Sequence, residues 1–209
     1  MTGGPPIAGL ILAGGLARRM GGGDKGLKQV GGRPVLDWVV ERAKAQTAPL
    51  ILNAGGDPNR FKAYGLPVVE DVVPGAQGPL AGILTGLDWL AQHHPGIEWM
   101  VSFTTDAPFI PRDLAQRLWQ SCEERSAELA CAVSNGRTHP VFGLWRVGLR
   151  ADLRDALVGE EMRKIDRWTA RYALAEVEFD THPVDPFFNI NRPEDLAEAE
   201  ELLTAKAIS

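Results

Sequence analysis

The apolar run Ile7-Ala8-Gly9-Leu10-Ile11-Leu12, followed by AGGLARRMGGGDKG over residues 13–26, decides how this chain folds. A continuous apolar run of this length is typical of a strand that is covered on both faces of a parallel sheet. The glycine-rich segment begins where the strand ends, and ligands of open α/β sheets bind beyond the carboxyl ends of the strands. The pattern therefore predicts a central strand over Ile7–Leu12 with a ligand-binding loop directly after it.

Strand and helix patterns alternate outward from this first strand. Short apolar runs predict strands, and apolar residues at helical spacing predict the helices between them. The predicted strands are Leu50–Asn53, Val68–Asp71, Trp99–Phe103, Leu129–Val133, Val141–Arg146 and Leu174–Phe179. The predicted helices begin at Pro34, cover Arg60–Tyr64, Leu80–Leu90 and Pro111–Cys122, and lie near 149–158, 161–170 and 192–205. This alternation predicts an α/β fold with right-handed crossovers and a mostly parallel sheet.

The turn signal Ser134-Asn135-Gly136-Arg137 interrupts this alternation in the second half of the chain. It lies between two predicted strands and is typical of a β-hairpin, which makes the sheet mixed. The chain has 209 residues and shows neither a linker nor an internal repeat. We therefore expect a single domain over residues 1–209.

Composition and charge exclude several classes of protein. The net charge of -5 argues against a nucleic-acid binder, which needs a basic face for the phosphates. Cys122 and Cys131 form no CxxC pair, so neither a disulfide framework nor a structural zinc site is predicted. Arg18 and Arg19 follow the first apolar run, whereas a secretory signal places its charges before it. We expect a cytoplasmic protein with no nucleic-acid or membrane partner.

The glycine-rich segment has the composition of a phosphate-binding loop. Glycines let backbone N–H groups approach phosphate oxygens, and Arg18, Arg19 and Lys25 supply compensating charge. A GxGxxG match over residues 21–26 lies many residues past the strand, and Lys25 lacks the GxxxxGK[ST] frame. Neither a dinucleotide-binding fingerprint nor a P-loop is therefore predicted. The alternative is a flexible surface loop with incidental charges.

Motifs along the whole chain from Ile7 onward resemble the molybdenum cofactor guanylyltransferase family, a group of nucleotidyltransferases. Thr104-Thr105 stands where the family is expected to have a proline and a cysteine before its metal-binding aspartate, so the resemblance is weaker at that motif. The blocks that carry the resemblance occur in family order: Leu12-Ala-Gly-Gly-x-x-x-Arg19-Met20-Gly21-x-x-Asp24-Lys25-Gly26, Asn53, Asp71, Gln77-Gly78-Pro79-Leu80-Ala81-Gly82, Thr105-Asp106-Ala107-Pro108-Phe109, His139-Pro140-Val141 and Asn189-Ile190-Asn191-Arg192-Pro193-Glu194-Asp195.

The resemblance implies the nucleotide-diphosphosugar transferase fold, a Rossmann-like three-layer α/β/α sandwich. It implies transfer of GMP from GTP to the terminal phosphate of molybdopterin, with Mg²⁺ as the cofactor and pyrophosphate as the leaving group. The implied division is a GTP- and Mg²⁺-binding half over residues 7–108 and an acceptor-binding half over residues 109–209. Other molybdenum cofactor biosynthesis proteins and delivery chaperones are the implied partners.

The resemblance also implies individual site residues. The implied catalytic residues are Lys25, Arg19 and Asp106, and Asp106 is the implied magnesium ligand. The implied nucleotide-binding residues are Leu12, Ala13, Gly14, Gly15, Gly22, Lys25, Asn53, Asp71, Gly78 and Asp106. The implied acceptor-binding residues are Gly82, His139, Asn189 and Asn191.

Three polar residues of the first half lie at or just beyond the ends of predicted strands, and each has a structural alternative. Asp106 follows a strand and is placed to bind Mg²⁺, or it caps the helix predicted from Pro111. An Asp71 carboxylate would select guanine through N1–H and N2–H₂, or it forms a turn. Asn53 contacts the nucleoside, or it turns the chain toward the following glycines.

The candidate residues of the second half also have structural alternatives. Asn191 and Glu194 have the spacing of a capping box. His139 lies next to a hairpin, where a single histidine at a strand end is often structural. Two other functions stay open at this point: a cytidylyltransferase or sugar-phosphate nucleotidyltransferase, and a nucleotide-binding carrier without turnover.

Overall fold

A seven-stranded mixed sheet forms the centre of the computed structural model, which describes residues 4–14, 25–75 and 78–204. The strands are β1 (Ile7–Leu12), β2 (Gln29–Val30), β3 (Arg33–Pro34), β4 (Leu50–Asn53), β5 (Val68–Val69), β6 (Trp99–Thr104), β7 (Leu129–Ser134), β8 (Arg137–Arg146) and β9 (Leu174–Glu178). The helices are α1 (Val35–Lys44), α2 (Pro79–His93), α3 (Leu114–Arg125), α4 (Arg150–Gly159), α5 (Ile165–Thr169) and α6 (Pro193–Thr204). Short 3₁₀ helices lie at Lys25–Leu27, Pro58–Tyr64 and Val147–Leu149.

The strand order in the sheet is β5-β4-β1-β6-β8-β7-β9. β1 pairs in parallel with β4 and β6, and β7 pairs in parallel with β9, whereas β8 is antiparallel to both β6 and β7. β7 therefore runs in the same direction as β6, and β8 alone runs against the other strands of this sheet. Asn135 and Gly136 join β7 to β8 with φ angles of 48° and 69°, as a tight hairpin turn requires. The predicted mixed sheet is confirmed.

Helices cover both faces of the sheet, so the fold is the predicted α/β/α sandwich. Consecutive β1 residues point to opposite faces, because side chains alternate along a strand. Ile11 packs with Leu36 of α1 and Leu118 of α3, whereas Leu10 packs with Leu84 of α2 and with residues of α4 and α5. The run Ile7–Leu12 is continuously apolar because both faces of its strand are covered.

Several element boundaries differ from the sequence prediction. The strand predicted over Val68–Asp71 ends at Val69, so Asp71 lies beyond the sheet. The helix predicted over 161–170 is limited to α5, since Glu161 has a φ of 52°, which a helix does not accommodate. The small β2–β3 hairpin was missed, because two-residue strands carry no periodicity. No helix in the described ranges is long and apolar enough to cross a membrane.

Candidate active site

The carboxyl ends of three parallel strands lie side by side at one edge of the sheet. Leu12, the last residue of β1, is in register with Asn53 at the end of β4 and with Thr104 at the end of β6. The N–H of Ala13 donates to the carbonyl oxygen of Asn53 at 2.8 Å, so the chain leaves β1 along this edge. The glycine-rich segment therefore starts where the sequence predicted it.

The end of the glycine-rich segment returns to the same edge. Lys25 begins a 3₁₀ turn, and a Cβ placed on Gly26 would lie 2.9 Å from the Cβ of Thr105. Only a residue without a side chain fits so close to the end of β6, next to Asp106. At the start of the segment Gly14 is exposed, with open space around its Cα. The predicted site residues Gly15, Arg19 and Gly22 lie outside the described residues.

Asp106 lies two residues beyond β6 and is half-buried. Its carbonyl oxygen accepts a hydrogen bond from the N–H of Ile190 at 2.8 Å, which ties a distant segment to this position. The helix that follows begins at Leu114, and Asp113 occupies the N-cap position. Asp106 lies well before this N-cap position, so it does not cap α3. Its predicted alternative as a helix cap is therefore wrong.

Asp106 offers a single carboxylate just beyond the end of β6. Within the described ranges, no three His, Cys, Asp or Glu side chains form a group that could hold a metal ion. Mg²⁺ usually takes one or two carboxylates and completes its shell with substrate phosphates and water. The donor set therefore fits an Mg²⁺ held jointly by Asp106 and a nucleotide.

Asn53 and Asp71, two predicted nucleotide-binding residues, are in direct contact. The Nδ2 of Asn53 donates to Oδ1 of Asp71 at 2.9 Å and to the carbonyl oxygen of Val69 at 3.2 Å. Asn53 is buried, whereas Asp71 is exposed. The N–H of Val72 donates to Thr85 Oγ1 at 3.0 Å, so the segment after Asp71 is held by α2.

Gly78 and Gly82 lie at the start of α2, and the structure gives each a local reason to be glycine. Gly78 precedes the helix with a φ of 97°, which residues with a side chain rarely adopt. Gly82 is buried against Leu12 and Asn53, beneath the ends of β1 and β4. Whether either glycine touches a ligand stays a prediction.

Ser134, His139 and Asp185 form a hydrogen-bonded cluster at the same edge in the second half. Ser134 Oγ is 3.0 and 3.1 Å from the two carboxylate oxygens of Asp185, and 2.8 Å from His139 Nε2. A serine hydroxyl has one hydrogen, and a carboxylate accepts only, so Ser134 donates to Asp185. His139 Nε2–H must then donate to Ser134, which leaves Nδ1 as an acceptor because burial lowers the pKa of His139.

The ring of His139 is part of an aromatic cluster. Its centroid is 4.8 Å from that of Phe187 and 6.4 Å from that of Phe142. These contacts support the structural role that the sequence left open for His139, while a contact with an acceptor stays a prediction. Sequence reasoning missed Ser134 and Asp185, because one lies in a turn signal and the other follows two residues after a proline.

The segment from Asp185 to Ile190 connects this cluster to Asp106. The carboxylate of Asp185 also accepts from the N–H of Phe187 at 2.9 Å, and the other end is held by the bond from Ile190. Asn189 lies between these anchors, and its Oδ1 is buried with no hydrogen-bond partner among the described residues. The structure thus brings Asn189 and Asp106 together, as their assignment to one site requires.

At the start of α6, Asp195 takes the place that the sequence predicted for Glu194. The N–H groups of Asn191 and Arg192 donate to Asp195 Oδ2 at 2.6 and 2.8 Å, so Asp195 supplies the carboxylate. The Nδ2 of Asn191 donates to the carbonyl oxygen of Asn189 at 3.3 Å. Asn191 therefore supports the segment that carries Asn189.

Comparison with known proteins identifies the enzyme class of this chain. The model of the MobA-like NTP transferase domain family matches residues 9–177. The match spans most of the chain and includes most of β1, the ends of β4 and β6, and Asp106. The chain is therefore an enzyme of the nucleotidyltransferase class.

Sequence relatives narrow this class. A molybdenum cofactor guanylyltransferase of Nitrobacter hamburgensis is 58% identical over 198 residues, which cover 95% of each protein. A solved structure of molybdopterin-guanine dinucleotide biosynthesis protein A from Archaeoglobus fulgidus aligns with a TM-score of 0.76 at 22% identity, over 95% of this chain and 99% of that one. The chain belongs to the molybdenum cofactor guanylyltransferase family.

The fold itself is shared more widely. A 4-diphosphocytidyl-2C-methyl-D-erythritol synthase from Anaerococcus prevotii aligns with a TM-score of 0.71 at 16% identity, over 96% of each chain. This fold is therefore not confined to the molybdenum cofactor guanylyltransferase family.

Proposed function

We propose that this chain transfers GMP from GTP to the terminal phosphate of molybdopterin, forming a guanine dinucleotide and releasing pyrophosphate. The observation that carries the assignment of the site is the alignment of Leu12, Asn53 and Thr104 at one edge, with Gly26 packed against Thr105. This arrangement brings both ends of the glycine-rich segment to Asp106. A phosphomonoester with a second pKa of about 6 is largely dianionic at neutral pH, so the acceptor needs no general base.

The catalytic task is therefore positioning and charge stabilisation. Lys25, Arg19 and the N–H groups of the glycine-rich segment hold the triphosphate in our proposal, and Asp106 holds its metal. Bound Mg²⁺ would neutralise the charge that develops on the leaving pyrophosphate. The close contact between Gly26 and Thr105 supports this proposal, since it fixes the end of the glycine-rich segment beside Asp106.

The division of labour follows the two halves of the sheet edge. Residues 7–108 bind GTP and the metal, with Asp71 accepting hydrogen bonds from guanine N1–H and N2–H₂. Residues 109–209 form the acceptor side, where Asn189 contacts the pterin or its phosphate. The buried, unpartnered Oδ1 of Asn189 supports this assignment. As the resemblance implies, the product passes to further molybdenum cofactor proteins in the cytoplasm.

The decisive experiment is incubation of the protein with Mg²⁺, molybdopterin and each nucleoside triphosphate in turn, with mass detection of the dinucleotide. We expect product and pyrophosphate with GTP and loss of both when the metal is chelated. A product with CTP instead of GTP would identify a cytidylyltransferase, and product with a sugar phosphate would change the acceptor. Binding of GTP without turnover would indicate a carrier.

A further inference from the structure

The side-chain amide nitrogen of Asn53 donates both of its hydrogens within the protein. This Nδ2 carries two hydrogens, one donated to Val69 and one to Asp71. The reverse amide orientation would place its oxygen against two acceptors, so the network determines which atom is the nitrogen. Nδ2 thus has no hydrogen left for a nucleotide.

Gly82 provides the space for this amide. A Cβ placed on Gly82 would lie less than 3.0 Å from Asn53 Oδ1 and 3.1 Å from Asn53 Cγ, and it would lie 2.5 Å from Leu12 Cδ2. Real Cβ atoms essentially never approach a neighbour closer than 3.0 Å. The amide is therefore confined between the backbone of α2 on one side and Val69 and Asp71 on the other.

This confinement fixes the exposed carboxylate of Asp71. One oxygen is held by Asn53, while Oδ2 accepts no hydrogen bond from any described residue. The next residue, Val72, is tied to α2 by Thr85, whose hydroxyl also donates to the carbonyl oxygen of Ala81 at 2.9 Å. An exposed carboxylate would otherwise rotate freely, and its ordering would weaken binding.

We propose that Gly82 and Asn53 are positioning residues for base selectivity, because together they hold the plane of the Asp71 carboxylate in the orientation that accepts from both N1–H and N2–H₂ of guanine. This inference rests on the proposed role of Asp71 at the base. It gives Gly82 a function on the nucleotide side, although the sequence placed it on the acceptor side. A paired contact depends on this plane, whereas a single hydrogen bond to N1–H tolerates rotation.

The test compares GTP with ITP, which lacks the N2 amino group, in calorimetric titrations with Mg²⁺ present. The key variant is Gly82→Ala, and the matched control is Gly86→Ala, one turn further along α2. A Cβ on Gly86 would lie 2.7 Å from Met100 Sδ and 3.0 Å from Leu10 Cδ2, so it crowds apolar side chains and no part of the Asn53 amide. Both variants overpack the same helix face, and only one disturbs the amide.

We expect the wild type to bind GTP about tenfold or more tightly than ITP, since a hydrogen bond to a charged group accounts for at least that ratio. In Gly82→Ala the ratio should fall to about three or less, while Gly86→Ala should keep it within about twofold of the wild type. A folded Gly82→Ala protein with the wild-type ratio would overturn the proposal. If Gly82→Ala does not fold, Asn53→Ala removes the same support without overpacking and must also lower the ratio.

Asp71→Asn separates this inference from the function on which it rests. A wild-type GTP/ITP ratio in Asp71→Asn would show that Asp71 does not read the base, and both proposals would fail. Loss of the ratio in Asp71→Asn, with no change in Gly82→Ala and Asn53→Ala, would overturn only the positioning role.

Discussion

The two halves of the sheet edge treat their polar groups in different ways. In residues 7–108, the half to which we assign the nucleotide and which we call the nucleotide half, the strand ends continue into exposed groups such as Gly14 and Asp71. In the acceptor half, Ser134 and Asp185 bond to each other and hold a segment in place. The first half exposes the Asp71 carboxylate. The second half uses partly buried hydrogen bonds to hold one segment beside Asp106.

The largest expected effect is a loss of turnover in a variant of Asp106, the residue beside which the two halves meet. Asp106→Ala should lower turnover about 100-fold or more, as expected for loss of an electrostatic contact to the reacting phosphates. Rates of pyrophosphate release at saturating GTP and Mg²⁺ measure this effect. Asp113→Ala is the matched control, because its side chain forms no hydrogen bond that caps α3, and it should keep the wild-type rate. A folded Asp106→Ala protein with a near wild-type rate would remove the metal assignment.

A smaller effect is expected from the cluster that holds the acceptor segment. Ser134→Ala breaks both the bond to Asp185 and the bond from His139, and should lower the free energy of unfolding by about 1 kcal/mol. The KM for molybdopterin should rise, while the affinity for GTP stays within about twofold. Ser121→Ala is a control, since this buried serine lies near the end of α3, toward the opposite sheet edge. Equal losses of GTP and acceptor binding in Ser134→Ala would mean that the cluster supports the whole edge.

The smallest effect is a pH dependence of stability. Burial lowers the pKa of His139 in the folded protein, so the unfolded chain binds a proton more readily near its ordinary pKa of about 6.5. The stability that depends on neutral His139 is complete above that pKa and decreases as pH falls through it toward the lower folded-state pKa. The free energy of unfolding, measured in urea, should therefore fall less between neutral and mildly acidic pH for His139→Gln than for the wild type. Identical losses would show that His139 is not kept neutral by the fold.

Local patterns were sufficient to predict most of the nucleotide half. Apolar runs identified β4, which ends at Asn53, and β6, which ends two residues before Asp106. Parallel strands bring such ends together. The position of β8 between β6 and β7 could not be predicted, because the hairpin signal fixes one neighbour of β8 and not the other. That second pairing depends on contacts between residues far apart in the chain.

The acceptor half was harder to predict because its interactions are long-range. Nothing in the local sequence pairs Ser134 with Asp185, which lies 51 residues away. The capping pattern at α6 predicted a carboxylate from Glu194, whereas Asp195 accepts the hydrogen bonds from the N–H groups of Asn191 and Arg192. The hydrogen bond between Asn53 and Asp71 could not be predicted from local patterns either, because 18 residues separate its two partners.

The division of the site between the two halves is tested most directly by titrating GTP and molybdopterin separately into Asp71→Asn and Asn189→Ala. Asp71→Asn should lose GTP affinity and bind molybdopterin normally. Asn189→Ala should keep GTP affinity within about twofold and lose molybdopterin affinity about tenfold or more, the range of a lost hydrogen bond to a charged group. Loss of GTP binding in Asn189→Ala with normal molybdopterin binding would contradict the division.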